Sequence, residues 1–269
     1  MLGAGELAAL GWRADDPLTE DDLTARVRVL QRKRGHRYSL DDVLTARLAA
    51  AARPDARRGC DLGCGLGSVL FSLADRLPEA SFVGVEAQDV SLELARRNRA
   101  RSPVAARVTL VAGDLREASV QAQLRALGPY DLISGTPPYV PPGQSTPSPD
   151  AQRAHARIEL RGGVEDYLRT AGPLLAPGGR VVVCCDARTP ERAQAGARDA
   201  GLRPLSATNA VPREGKDALF AVWVFGPADE PGPADVVWAP PVVARAAHGA
   251  RPEAYLALRR FFGLPREAS

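Results

Sequence analysis

The chain has 269 residues, enough for one large α/β domain or one domain with small appendages. A hydrophobic fraction of 45% supplies a sizeable core, and a net charge of +3 is too small to imply nucleic acid by itself. The N-terminus lacks a basic start followed by an apolar core, and no run of about 18 apolar residues occurs, so the sequence reads as a cytoplasmic protein without a membrane span. Cys60, Cys64, Cys184 and Cys185 show no CxxC spacing and no accompanying histidines; they read as small buried hydrophobes in a reducing compartment, and no metal is expected.

Residues 1–23 end in an acidic cluster, "DDPLTEDD", and read as a loose lead-in. Residues 24–38 begin with strand-like alternation, Val27 and Val29 inward, Arg26 and Arg28 outward. Arg32, Lys33, Arg34, His36 and Arg37 then crowd around Gly35, with no acid between Asp22 and Asp41. "SLDDVLTARLAAAA" opens with Ser39 and two acids, which signals a helix start. From about residue 57, strand and helix patterns alternate. The strands are "CDLG", "SFVGVE", "RVTLVAGD", "YDLISG" and "GGRVVVCCD", each followed by at least one helix. "LRPLSATNAV" and "ALFAVWVFG" close the series without a helix between them. The pattern predicts a mainly parallel sheet covered on both faces, with an antiparallel edge pair. "GPADEPGPADVVWAPP" reads as a linker or surface arm before a short helix, "PEAYLALRRFFG".

"DLGCGLG" lies between the first strand of the series and its helix. Gly63, Gly65 and Gly67 permit a sharp turn and close approach of a ligand. The spacing is G-x-G-x-G, not the G-x-G-x-x-G of dinucleotide folds. Asp61 would repel a pyrophosphate but suits an ammonium group. S-adenosylmethionine carries an ammonium and a sulfonium and no phosphate, and this charge pattern favours it. Glu86 ends the next strand and can accept from both ribose hydroxyls, which suits either cargo. Asp114 ends the third strand and can accept from an adenine amino group. Three acids at successive strand ends mark the edge where open α/β sheets bind ligands.

The fourth strand runs into "TPPY", residues 136–139. Neither proline donates to a ladder, so the strand stops there, at the same edge. Three strings together, "RVRVLQRKRGHRYSLDDVLTA", "DLGCGLG" and "TPPY", resemble the class I methyltransferases, and among them the bacterial family that methylates the exocyclic amine of adenine beside the anticodon of valine tRNA. That family carries Asn-Pro-Pro-Tyr where this chain has Thr136 first. The resemblance covers residues 24–225. It implies a Rossmann-like fold with a seven-stranded, mainly parallel sheet, helices on both faces and an antiparallel edge strand. With the basic run before residue 41 and the Pro- and Gly-rich composition after residue 225, the chain divides into a basic arm (1–40), a methyltransferase domain (41–225) and a linker with a short helix (226–269).

On that resemblance Thr136, Pro137, Pro138 and Tyr139 form the acceptor site. Asp61, Gly63, Cys64, Gly65, Gly67, Glu86, Ala87, Asp114 and Leu115 surround S-adenosylmethionine. Arg32, Lys33, Arg34, Arg37, Tyr38, Arg153 and Arg157 face a tRNA partner. The amide-type string works because a side-chain carbonyl and the first proline's carbonyl accept both N–H bonds of the amine and aim its lone pair at the methyl. Thr136 offers a hydroxyl oxygen instead, shorter and weaker as an acceptor. Two other readings stay open: the same chemistry on a protein glutamine or a small molecule, and an RNA-binding protein that has kept the pocket and lost the reaction. The cofactor loop is preceded by 60 residues, fewer than the separate helical domain usual in the glutamine enzymes occupies.

Overall fold

The computed structural model describes residues 4–9, 12 and 15–265. A short helix α1 (Ala4–Ala9) precedes an antiparallel hairpin of β1 (Leu18–Asp22) and β2 (Arg28–Arg32). Then come α2 (Leu40–Ala52), β3 (Arg58–Leu62), α3 (Ser68–Arg76), β4 (Ser81–Glu86), α4 (Asp89–Arg101) and β5 (Val108–Ala112). The second half runs α5 (Ala118–Leu127), β6 (Tyr130–Gly135), α6 (Ala151–Arg157), α7 (Val164–Ala171), β7 (Leu175–Asp186) and α8 (Pro190–Asp199). It closes with β8 (Leu202–Val211), β9 (Phe220–Pro227), β10 (Val237–Val243) and α9 (Glu253–Phe261). Among the described residues no helix is long and apolar enough to cross a membrane.

The main sheet has eight strands in the order β10-β8-β9-β7-β6-β3-β4-β5. Its apolar runs are continuous because both faces are covered. Val181 to Cys185 in β7 are all 2% exposed or less. Successive side chains point to opposite faces. Val182 and Cys184 therefore join Leu44 of α2, Phe71 of α3 and Leu94 of α4, whereas Val181, Val183 and Cys185 join Leu124 of α5, Leu168 of α7 and Ala197 of α8. All four cysteines are free and buried in these two layers.

Four expectations need correction. The sheet has eight strands, not seven. The antiparallel strand, β9, is interior, paired with both β7 and β8. The supposed linker contributes β10, which adds in parallel beyond β8. Pro240 and Pro241 are tolerated there because β10 is the edge strand, with a bulge between Ala239 and Val242. Trp238 meets Trp223 edge-on at 5.3 Å. The lead-in is also structured: β1 pairs with β2 along its length, though its sequence, Leu-Thr-Glu-Asp-Asp, carries no apolar alternation.

The hairpin is tied to the core by side chains. Asn98 of α4 accepts from the Leu30 amide at 2.7 Å and donates to the Leu30 and Leu66 carbonyls. One buried amide thus joins β2 to the loop after β3. Helix α9 packs on α2, and the Phe261 ring lies under the guanidinium groups of Arg47 and Arg76 at 4.3 and 4.6 Å.

Candidate cofactor and acceptor site

The strand order changes direction at β3, whose neighbours are β4 and β6. Ligands bind outside the carboxyl ends of strands at such a switch point. Leu62 pairs with Gly135 in register, and Asp61 with Ser134. The glycine loop and the Thr136 corner therefore leave the sheet side by side, at one level.

Gly63, Gly65 and Gly67 all have positive φ, at 63°, 57° and 97°. A Cβ on Gly63 would lie 2.2 Å from the Tyr167 hydroxyl oxygen, and one on Gly135 2.7 Å from the same ring, so Tyr167 fits only beneath bare backbone. Above Gly65 the space is open. Its amide donates to Glu86 Oε2 at 2.8 Å, and the Gln88 amide donates to Oε1 at 2.6 Å. Burial raises the Glu86 carboxyl above its ordinary range, partly offset by these amides.

A cavity of about 110 Å³ opens over this loop. Gly63, Cys64, Gly65, Glu86, Ala87, Asp114 and Leu115 line it, with Tyr38, Thr136 and Pro138. Gly67 is the left-handed residue that starts α3, and it does not line the cavity. Asp61, expected to face a ligand's ammonium, lies below the floor. It is 2% exposed and accepts from the Ser134 hydroxyl at 2.7 Å. Burial pushes its carboxyl up to about 7, with Ser134 and the Leu70 amide pulling the other way. Asp114 is on the wall but engaged by Arg116, whose guanidinium donates at 3.0 and 2.7 Å. Burial works to raise its carboxyl, but the hydrogen bonds from Arg116 prevail and hold it below the usual range.

A second cavity, of about 480 Å³, adjoins the first, and His36, Asp42, Thr136 and Ala156 line both. Pro137 and Tyr139 lie on its wall, and Lys33, Arg34, Arg37, Arg153 and Arg157 on its rim. The corner is pinned from outside: the Val140 amide donates to the Arg157 carbonyl at 3.2 Å, and the Glu159 amide to the Val140 carbonyl at 3.0 Å.

The cationic residues differ sharply in their surroundings. Arg32 is not on the rim. It is 1% exposed and donates to Asp16 at 2.8 Å, Asp150 at 2.7 Å and Gln152 at 3.2 Å. A guanidinium this buried and held by two carboxylates is out of reach of a phosphate at the surface, so its expected tRNA contact is withdrawn. Arg34 and Arg37 reach the rim but pair with Asp15 and Asp21, both at 2.8 Å. Lys33, Arg153 and Arg157 are exposed. Tyr38 spends its hydroxyl on the Asp22 carbonyl at 3.0 Å.

Several site residues escaped sequence reasoning. Asp42 was legible only as a helix-start acid, yet it sits at the junction of the two cavities. Tyr167 comes from α7, a helix without any motif. Arg161, by contrast, is visible in the sequence as the continuation of the basic spacing of Arg153 and Arg157, but it lies past the end of α6 and lines the first cavity. Arg192 of α8 clamps Glu159 and Glu165 at 2.7 and 2.6 Å and fixes the loop between them. Arg161 Nη1 and His155 Nδ1 are buried with no hydrogen-bond partner among the described residues.

Residues 55–198 match the family model described as "Methyltransferase domain". The chain belongs to that family. Within it, the methyltransferase is 35% identical over 123 residues to a tRNA1(Val) (adenine(37)-N6)-methyltransferase of Porphyromonas gingivalis, covering 46% of this chain and 47% of that protein. It is 33% identical over 167 residues to the like-named protein of Aeromonas hydrophila, covering 61% and 66%. A release factor glutamine methyltransferase of Geobacter sulfurreducens is 35% identical over 137 residues, 48% of this chain and 45% of that one. The match thus spans about half to two thirds of these curated relatives. Among solved structures, one described as a predicted O-methyltransferase from Agrobacterium tumefaciens superposes with a TM-score of 0.60. It is 21% identical and covers 85% of this methyltransferase and all of that chain, a likeness of fold.

Proposed function

We propose that this methyltransferase uses S-adenosylmethionine to methylate the exocyclic amine of adenine in tRNA, acting in the cytoplasm. The observation that carries the reading is the position of Thr136: it stands where the glycine-loop cavity meets a second cavity with a cationic rim.

The residues of the first cavity fit this donor. Glu86 offers acceptors beside open space over Gly65, and carboxylates on the wall suit hydroxyls and an ammonium rather than phosphates. The unpartnered Arg161 Nη1 suits a carboxylate. S-adenosylmethionine supplies a methyl group on positively charged sulfur, open to displacement by an amine. What the chain adds is orientation. The Thr136 hydroxyl oxygen and the Pro137 carbonyl are the acceptors that hold the amine, and the two prolines keep that carbonyl rigid. Tyr139 presents a ring for a base to stack on. Arg153 and Arg157 hold phosphates as an unstacked base enters.

The glutamine-methylating relative supports a second reading, in which the acceptor is a protein amide. One experiment separates the two. Radiolabelled donor is incubated with the full chain, total tRNA and cell protein, using wild type and Thr136→Asn. The label is expected in N6-methyladenosine of tRNA digests. The variant should change the rate of labelling of that same acceptor by up to about 30-fold, since one well-placed hydrogen bond supplies about 2 kcal/mol to a transition state. Label confined to protein would favour the glutamine reading. Donor binding without label from either variant would mean that the reaction has been lost.

A further inference from the structure

Asp42 is the group that the proposed reaction has not yet used. It lies in the first turn of α2 and is 8% exposed. One carboxylate oxygen, Oδ2, caps its own helix by accepting from the Ser39 amide at 2.9 Å. The other, Oδ1, faces the cavities. It accepts from the Ser68 hydroxyl at 3.0 Å and from the Thr136 hydroxyl at 3.4 Å. The second distance is long for a hydroxyl bond, and such contacts commonly tighten when a ligand arrives.

That arrangement fixes the direction of the Thr136 hydroxyl. A hydroxyl has one proton and two lone pairs. With the proton directed at Asp42, the lone pairs are left to accept, on a residue that lines both cavities. An isolated threonine rotates its hydroxyl to suit any neighbour and is a poor substitute for an amide carbonyl. Burial and the neighbouring Asp41 push the Asp42 carboxyl up to about 8, with the Ser39 amide and the Ser68 hydroxyl pulling the other way; in its ionised form it can only accept, and a threonine whose proton it holds presents an oriented acceptor. Asp42 and Thr136 are 94 residues apart in the chain, so nothing in local sequence links them.

We propose that Asp42 is a positioning residue for the acceptor amine: through the Thr136 hydroxyl it supplies the hydrogen-bond acceptor that an asparagine would otherwise provide. The inference rests on the reading of the first cavity as the donor site, but not on the acceptor being tRNA. Other ionisable groups around Asp42 are Asp41 on its own helix, Asp61 beneath, and Tyr139 and His36 at the second cavity. None of these is hydrogen-bonded to Thr136.

The test is calorimetric and needs no acceptor substrate. S-adenosylhomocysteine is titrated into the full chain, then sinefungin, in which an amine-bearing carbon replaces the sulfonium and its methyl. The sinefungin amine probes the acceptor side of the pocket. Wild type should prefer sinefungin by about tenfold, the worth of one charge-assisted hydrogen bond. Asp42→Asn should abolish that preference and leave S-adenosylhomocysteine affinity within about twofold, because Asn keeps one oxygen acceptor. Thr136→Val, which preserves shape and removes the hydroxyl, should reduce the preference too and serves if Asp42→Asn fails to fold. A preference unchanged in both variants overturns the proposal, as does an equal loss for both ligands. Failure of wild type to bind S-adenosylhomocysteine defeats it together with the donor site. Loss of preference in Asp42→Asn, with no methylation of tRNA by wild type, sustains the positioning role and removes the tRNA reading alone.

Discussion

Arg32→Ala is expected to destabilise the protein by about 3–5 kcal/mol, the usual cost of stripping one partner from a buried ion pair. Its guanidinium holds Asp16, which is 3% exposed, and links it to Asp150 and Gln152 at the start of α6. The Trp12 ring lies below it at 5.8 Å. Removal leaves Asp16 buried without its cation and frees α6 from the β1–β2 hairpin. Urea unfolding of variant and wild type measures the loss. Arg157→Ala is the control: on an exposed side chain it should shift stability by no more than about 0.5 kcal/mol. If the proposed function holds, it should also lower the slope of tRNA affinity against salt by about one. A stable Arg32→Ala protein with a weakened salt slope would return Arg32 to the nucleic-acid surface.

Glu86→Ala is expected to weaken binding of S-adenosylhomocysteine by about 1–3 kcal/mol, as charge-assisted hydrogen bonds are lost. Two effects act together. The carboxylate no longer faces the ligand's hydroxyls, and the Gly65 and Gln88 amides lose the acceptor that shapes the loop around them. Glu86→Gln keeps one acceptor oxygen and should fall between the two. Calorimetry at fixed pH measures both. Equal affinity in all three proteins would remove Glu86 from the site.

What the sequence made legible follows from how locally each feature is encoded. Strands β3, β4, β6 and β7 are buried on both faces, so their apolar runs announce them. The glycine loop is legible because its left-handed residues admit little else. Edges are less plainly written. β1 is held by pairing, ion pairs and a single apolar contact from Leu18, and β10 tolerates two prolines because among the described residues its outer side pairs with nothing. Charge is harder still. The basic turn at residues 32–37 has no acid between Asp22 and Asp41, yet Asp15, Asp16, Asp21 and Asp150 arrive from outside that stretch to pair with three of its arginines. Asp61 reads as a ligand contact because it ends a strand, but its register against Ser134 turns it into the floor. Asp42 shows the converse: its helix-capping role is visible locally, and its contact with Thr136 exists only in the fold.

The account depends most on where the methyl donor lies. Crystals of the full chain soaked with S-adenosylhomocysteine should show it over Gly65, its ribose at Glu86 and its sulfur facing the Thr136–Pro137 corner. Density at another edge of the sheet, or a sulfur turned away from that corner, would contradict it.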